Sequence, residues 1–423
     1  TLRLTHDNGS LGSAVHRCTG VGKCLADNTG TGGVMCPSYV ATRDEKDSTR
    51  GRARVLQEML NGEVVRDGWS SPEVHEALDL CLSCKGCATD CPTGIDMATY
   101  KAEALHQRYR GKIRPRSHYA LGRLPRWARM AGPVAPLANR AMRAAVVQRV
   151  AKAIAGVDQR RGLPQLAGRS FTRWASERPG EDQPDVVVWG DSFTDHFAVP
   201  AGQATVALLE RAGLRVGVVE GRACCGLTWI STGQLTAARR IVGGAVDVLH
   251  RYVSRGIPVV GVEPSCLAVL RSDAVELTGD ARAAEVAAGV FTLAELLQRL
   301  PEWEPPDLSG VEVVVQPHCH HASVMGWDAD AHLLARTGAE VTRVGGCCGL
   351  AGNFGVEKGH YDVSVAIAEH ALLPAVRRAG RRSVVLADGF SCRTQLQDLA
   401  GVRAVHMAEL LLDPAAPDIT SGS

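Results

Sequence analysis

Four of the chain's 14 cysteines, Cys81, Cys84, Cys87 and Cys91, fall in the stretch CLSCKGCATDCPTGID, with Pro92 directly after the last. Thiols at this density serve disulfides, zinc or an iron–sulfur cluster. Framework disulfides belong to short secreted chains, whereas this sequence has 423 residues and opens on no charged-then-apolar leader, so its cysteines are expected to be reduced or metal-bound. Zinc knuckles bring two C-x2-C pairs from separate segments. The run here is C-x2-C-x2-C-x3-C-P, in which three thiolates wrap one cubane from a tight loop and the fourth turns away to a second cluster. Such a run predicts a partner motif.

The partner lies upstream, in RCTGVGKC and MCP. Cys18 and Cys24 are spaced as the first and third cysteines of a run, Cys36-Pro37 repeats its closing pair, and Val21 occupies the middle position. Exchange of the fourth ligands assigns Cys36, Cys81, Cys84 and Cys87 to a complete [4Fe–4S] cluster and leaves Cys18, Cys24 and Cys91 for a second. With one thiolate missing, that second site is [3Fe–4S], or [4Fe–4S] completed by a residue such as His16 or Asp27, or it is absent.

These motifs need elements to hold them. The chain is 45% hydrophobic and 4% aromatic with a formal net charge of +2, the composition of an ordinary globular protein of two or three domains, and no uncharged apolar run approaches a bilayer span. Residues 1–100 read as a small helical ferredoxin-like two-cluster domain, with Val55, Leu56, Met59 and Leu60 on one face of a connecting helix. Residues 101–183 read as a basic helical linker. Its first 80 residues hold 18 Lys+Arg against 3 Asp+Glu. Met142, Val146, Val147, Val150, Ile154 and Val157 share one helical face, with Arg140, Arg149 and Lys152 outside it and Arg143 intruding. That helix either packs on its own protein with a solvated basic side or lies on an acidic partner or an anionic membrane surface. No nucleic-acid reader motif accompanies the charge.

Beyond residue 184 short Val-rich strands alternate with Ala/Leu/Arg-rich helices, the pattern of α/β domains with parallel sheets. Candidate strands are DVVVWG, RVGVVE and IPVVGVE, then VEVVVQ, EVTRV and SVVLAD. Two sets of three suggest a duplication, residues 184–305 and 306–423, so the fold class is α+β followed by α/β. ACCG matches GCCG, and EPSC matches GFSC, at an offset of about 125 residues. Loops at the carboxyl ends of parallel strands are where such sheets place ligands, so Cys319, Cys347, Cys348 and Cys392 are expected to converge as a third site holding zinc or an iron–sulfur cluster. Cys224, Cys225 and Cys266 form a smaller set that also reads as buried small residues. His318, His320 and His321 are candidates for ligands or proton carriers.

Taken together, the double cysteine motif, RGRA, the basic linker and the two CCG repeats resemble the iron–sulfur subunit of glycolate oxidase, the related subunit of anaerobic glycerol-3-phosphate dehydrogenase and the cysteine-rich domains of heterodisulfide reductase. Most of all the chain resembles the C-terminal half of large FAD-linked D-2-hydroxyacid dehydrogenases, on RCTGVGKC, MCPSY, DLCLSCKGCATDCPTGIDMATYKAE, EPSC, HCHH, GCCGLAGNFG and ADGFSCR. The resemblance implies a flavin domain outside this chain that oxidises D-lactate, D-2-hydroxyglutarate or a similar acid. Electrons would then pass through the clusters to a quinone or a carrier. It implies no catalytic residue here, a flavoprotein partner, an oligomeric assembly, and a cytoplasmic location with peripheral contact to the inner face of a membrane. Two further readings stand beside it: a thiol/disulfide redox enzyme of the heterodisulfide-reductase kind, and a zinc-stabilised scaffold. The chain also departs from the fullest cysteine-rich pattern. Glu263 and Gly389 stand three before Cys266 and Cys392, and Asp191-Ser192 stand where the first repeat would need its first thiol. Neither repeat can supply five thiolates.

Overall fold

The computed structural model describes residues 1–380 and 383–413. Its first hundred residues are helical. Helices Leu11–His16, Pro37–Thr42, Thr49–Asn61, Pro72–Asp79, Gly86–Asp90 and Met97–Arg108 alternate with irregular loops that carry cysteines. The longest, Thr49–Asn61, starts where Ser48 accepts a hydrogen bond from the Gly51 N–H and stops at Gly62, whose φ of 74° is left-handed. Its buried stripe is Ala53, Leu56 and Met59, joined by Arg52 and Gln57; Val55 is half-buried and Leu60, expected on the same face, is exposed. Gly51, the glycine of RGRA, lets this helix press on the preceding loop: a Cβ there would lie 2.1 Å from the Glu45 carbonyl oxygen.

The linker forms short helices, among them Leu124–Ala131, Ala135–Met142, Ala145–Ala155 and Phe171–Ser176. The single apolar face expected from Met142 to Val157 is divided, because the backbone leaves the helix after Met142 and a new one begins at Ala145. The second helix is also turned outward. Val146 and Ile154 are 72% and 64% exposed, while Lys152 is buried and its ammonium donates to Gln148 Oε1 at 3.0 Å and to the Gln159 carbonyl at 3.2 Å. Val146, Val147, Val150 and Ile154 therefore do not pack on this chain, whereas Val157, past the helix end, is buried. No helix among the described residues is long and apolar enough to cross a membrane.

All six expected strands form: β1 (Val186–Trp189), β2 (Val216–Val218), β3 (Val259–Gly261), then β5 (Glu312–Val315), β6 (Glu340–Arg343) and β7 (Val384–Leu386), with β4 (Val290–Phe291) unforeseen. Every pairing is parallel, in the orders β2-β1-β3-β4 and β6-β5-β7. Within each set of three the first strand is central and the next two flank it. The central strands are continuous valine runs because both faces are covered, as parallel sheets demand. One shared core joins Val186, Val188 and Val260 of the first sheet to Val313, Val315 and Leu386 of the second, through helices Val199–Arg211 and Met407–Leu412.

The helical domain docks on the second sheet's loops. The Gly346 N–H donates to the Gly33 carbonyl at 2.9 Å, and a Cβ at Gly345 would lie 2.1 Å from the Thr29 carbonyl oxygen. This close approach positions the cysteine sets of the two domains relative to one another.

Candidate metal centres

Cys36, Cys81, Cys84 and Cys87 are all buried and line one pocket. The loop carrying the last three bends tightly, with Ser83 and Lys85 both left-handed at φ 55° and 59°, conformations that non-glycine residues adopt at a cost. Hydrogen bonds point at the sulfurs: Arg52 Nη1 donates to Cys36 Sγ at 3.5 Å and the Met97 N–H to Cys87 Sγ at 3.4 Å. Arg52, 1% exposed, also donates to the Ala77 carbonyl at 2.8 Å and to Ser38 Oγ at 2.9 Å. Burial pulls its basicity down, but Cys81, Cys36 and Asp47 outweigh it and hold Arg52 above its usual value. Without a cation, burial pushes the Cys84 and Cys87 thiols well up. Four buried thiols gathered in one pocket, with donors aimed at two of them, fit a cluster. Lys85 and Arg52 were missed in the sequence; Lys85, inside CLSCKGC, lies 2.9 Å from Asp273 and 3.2 Å from Asp96, which hold it charged against burial.

Cys18, Cys24 and Cys91 share the apolar cluster that holds Cys36, Cys81 and Cys87. The Arg50 N–H donates to Cys24 Sγ at 3.4 Å. Burial would raise Cys91, but Thr93 and the backbone N–H groups that follow bring its thiol below the usual value. Val21 is 65% exposed. His16 Nδ1 bonds the Gly12 carbonyl at 2.7 Å, and Asp27 is held by Thr29 and by His370 at 3.0 Å, so both residues weighed as substitutes have other partners.

At the carboxyl ends of β5, β6 and β7 the four thiols expected there converge. The Cys347 thiol is influenced by Cys319 and Cys348, and that of Cys348 by Cys392; all four are free and buried. The three histidines beside them are partnered. His318 Nε2 bonds Ser391 Oγ at 3.3 Å, and burial, then His320, pushes its pKa down to about 3. His320 Nε2 donates to the Ser83 carbonyl at 2.9 Å, in the cluster loop, and His321 Nε2 lies 3.1 Å from Asp330 Oδ2.

The first sheet gathers its set too. Cys225 Sγ and Cys266 Sγ are 2.9 Å apart, and Cys225 together with burial pushes the neighbouring Cys224 thiol well up. Asp191, where a first thiol was lacking, accepts from Cys266 Sγ at 3.5 Å while capping the helix Ser192–His196. Glu263 joins the two sheets: its Oε2 accepts from the Phe390 N–H at 2.8 Å, beside Cys392. Burial, then Asp191, pushes Glu263 up to about 7. Sequence reasoning noted Glu263 only as a missing cysteine.

The thiol sets and the sheets define an iron–sulfur protein, with a helical two-cluster domain followed by α/β cysteine-rich structure. Residues 14–95 match the 4Fe-4S dicluster domain, and residues 192–271 match the cysteine-rich domain known as CCG. Nearly the whole chain, 95%, is similar to the D-2-hydroxyglutarate dehydrogenase of Pseudomonas putida at 27% identity, over 43% of that protein. It is 23% identical to the glycolate oxidase iron-sulfur subunit of Escherichia coli, with 94% of each chain covered. Two thirds of it, 67%, is 27% identical to one subunit of the anaerobic glycerol-3-phosphate dehydrogenase of Escherichia coli, over 73% of that subunit. The chain thus spans less than half the length of the dehydrogenase and nearly all of the separate glycolate oxidase subunit.

Proposed function

We propose that this chain is the electron-transfer module of an FAD-linked D-2-hydroxyacid dehydrogenase, with the flavin that oxidises D-lactate, D-2-hydroxyglutarate or glycolate on a domain or subunit outside these residues. The observation that carries the reading is the continuity of buried thiol sets: Cys84 lies in one apolar cluster with Cys319 and Cys347, and Glu263 connects Cys392 to Cys266. Iron–sulfur clusters at such sets supply reversible one-electron chemistry, because the charge spreads over several iron and sulfur atoms. The chain's residues fix and tune them. Cys36, Cys81, Cys84 and Cys87 hold a [4Fe–4S] cluster, Cys18, Cys24 and Cys91 a second with one ligand fewer, and Cys319, Cys347, Cys348 and Cys392 a third centre, with Cys224, Cys225 and Cys266 as a smaller site. Donors such as Arg52 and the Met97 N–H favour the more negative state of the sulfurs they touch. The equal strand order of the two sheets supports an internal duplication. The outward apolar row of the linker and its arginines favour peripheral contact with an anionic membrane on the way to a quinone or carrier.

Stopped-flow absorbance of the chain joined to its flavin partner tests this reading. Variants at Cys87 leave flavin bleaching by the hydroxyacid intact and slow flavin reoxidation. The isolated iron-loaded chain accepts electrons from dithionite and oxidises no hydroxyacid. Reoxidation at the parent rate in the variants would refute the reading.

A further inference from the structure

A cleft of about 1680 Å³ opens between the linker and the first sheet. One wall is the edge strand β2 with the helix Leu235–Val253, and the other comes from helices Leu124–Ala131 and Phe171–Ser176. Nine arginines line it against four carboxylates. Five of these, Arg126, Arg129, Arg222, Arg240 and Arg255, are exposed and have no ion pair or side-chain hydrogen bond among the described residues. Unpaired guanidiniums collected along one concavity repel each other and focus a positive potential into it, an arrangement that an anion relieves. Each offers a planar fork that takes a phosphate, carboxylate or sulfonate through two hydrogen bonds. Cys224, the least buried thiol of its set, lies in the same lining. Thus a redox-capable sulfur and an anion cradle share one opening, which is wider than the roughly 300–1,000 Å³ of a typical small-molecule pocket and admits a long ligand.

We infer that this cleft binds a small organic polyanion, carrying two or more acidic groups, whose inner end lies beside Cys224. As an electron acceptor it rests on the conduit reading above; its binding does not. Calorimetry of the oxidised, iron-loaded chain tests the site with two probes, pyrophosphate and anthraquinone disulfonate. Both are expected to bind in a salt-sensitive way, and Arg222→Gln with Arg240→Gln is expected to weaken each at least tenfold, whereas Arg403→Gln, exposed and outside the cleft, leaves affinity unchanged. In the dithionite-reduced chain the double variant is expected to slow reoxidation by the disulfonate while sparing reoxidation by neutral duroquinone. Absence of saturable binding, equal weakening by Arg403→Gln, or binding of polyglutamate but of neither small anion would overturn the inference. Binding as expected with no reoxidation by either quinone upholds the cleft and refutes the conduit instead.

Discussion

Cys84, in the tight loop of the helical domain, and Cys319, at the carboxyl end of β5, lie in one apolar cluster with Leu82 and Cys347, and after burial the Cys319 thiol is the main influence pushing the Cys84 thiol up. The two belong to different domains, so the contact between domains also brings two thiol sets together. Paramagnetic centres held this close broaden each other's electron paramagnetic resonance signals. Cys392→Ser, which alters the β5–β7 set without touching the helical domain, is expected to narrow the signal and change the power saturation of the cluster at Cys84. An unchanged spectrum in that variant would show that the two centres do not communicate.

Loss of Cys36 should be felt at the far end of the motif. Cys36 lines the pocket of Cys81, Cys84 and Cys87, so under the proposed ligand exchange Cys36→Ser is expected to cost the chain one cluster's iron and the spectrum of the more stable centre. Cys91→Ser should remove the other centre. The opposite pattern in iron analysis and absorbance would reverse the ligand exchange.

With Val21 at the middle position of the motif, the proposed centre of Cys18, Cys24 and Cys91 is one thiolate short. Air exposure is expected to convert this centre to [3Fe–4S] before the other changes, with its characteristic low-temperature resonance rising first. Two centres that decay at equal rates would contradict the assignment.

The exposed row on Ala145–Ala155 should bind anionic bilayers. Vesicles containing phosphatidylserine are expected to sediment the chain and neutral vesicles much less, each basic residue near the surface contributing about 1 kcal/mol. Val146→Asp with Val150→Asp should weaken sedimentation at least tenfold and leave the iron content intact. Equal binding to neutral vesicles would remove the electrostatic part of the argument.

Acid should loosen the linker at His118. This buried imidazole stacks edge-on against Tyr109, and burial first, then Arg114, Lys101 and His75, push its pKa down to about 3. The unfolded segment takes up a proton below about 6.5 while the folded one stays neutral, so the unfolded form binds more protons. Stability from this group is therefore complete above about pH 6.5 and lost as pH falls toward 3, by about 5 kcal/mol at most. Protection of the amides in Arg116–Ala120, taken relative to their intrinsic exchange rates at each pH, is expected to fall across that window, and His118→Gln should flatten the dependence. Identical pH profiles for parent and variant would assign the effect elsewhere.

Much of the site was legible in the sequence because cluster ligation is local. The spacing of Cys81, Cys84 and Cys87 sets the tight loop that carries them, and Cys36 and Cys91 each precede a proline. The strands were legible because central parallel strands must be apolar on both faces, as β1 and β5 are. The linker helix misled because periodicity reports an apolar face without saying what covers it: Lys152 went inside on hydrogen bonds to Gln148 and Gln159, Val146, Val147 and Val150 went out, and only Val157, past the helix end, is buried. Tertiary structure alone decided which sets adjoin. The juxtaposition of Cys84 with Cys319, the insertion of Arg52 behind Cys36, the seam at Glu263 and the arginines gathered around Cys224 all depend on docking between distant segments, enforced by close approaches such as Gly345 on Thr29. Spacing within a segment fixes a ligand set, but the path between sets is a property of surfaces that meet only after each segment has folded.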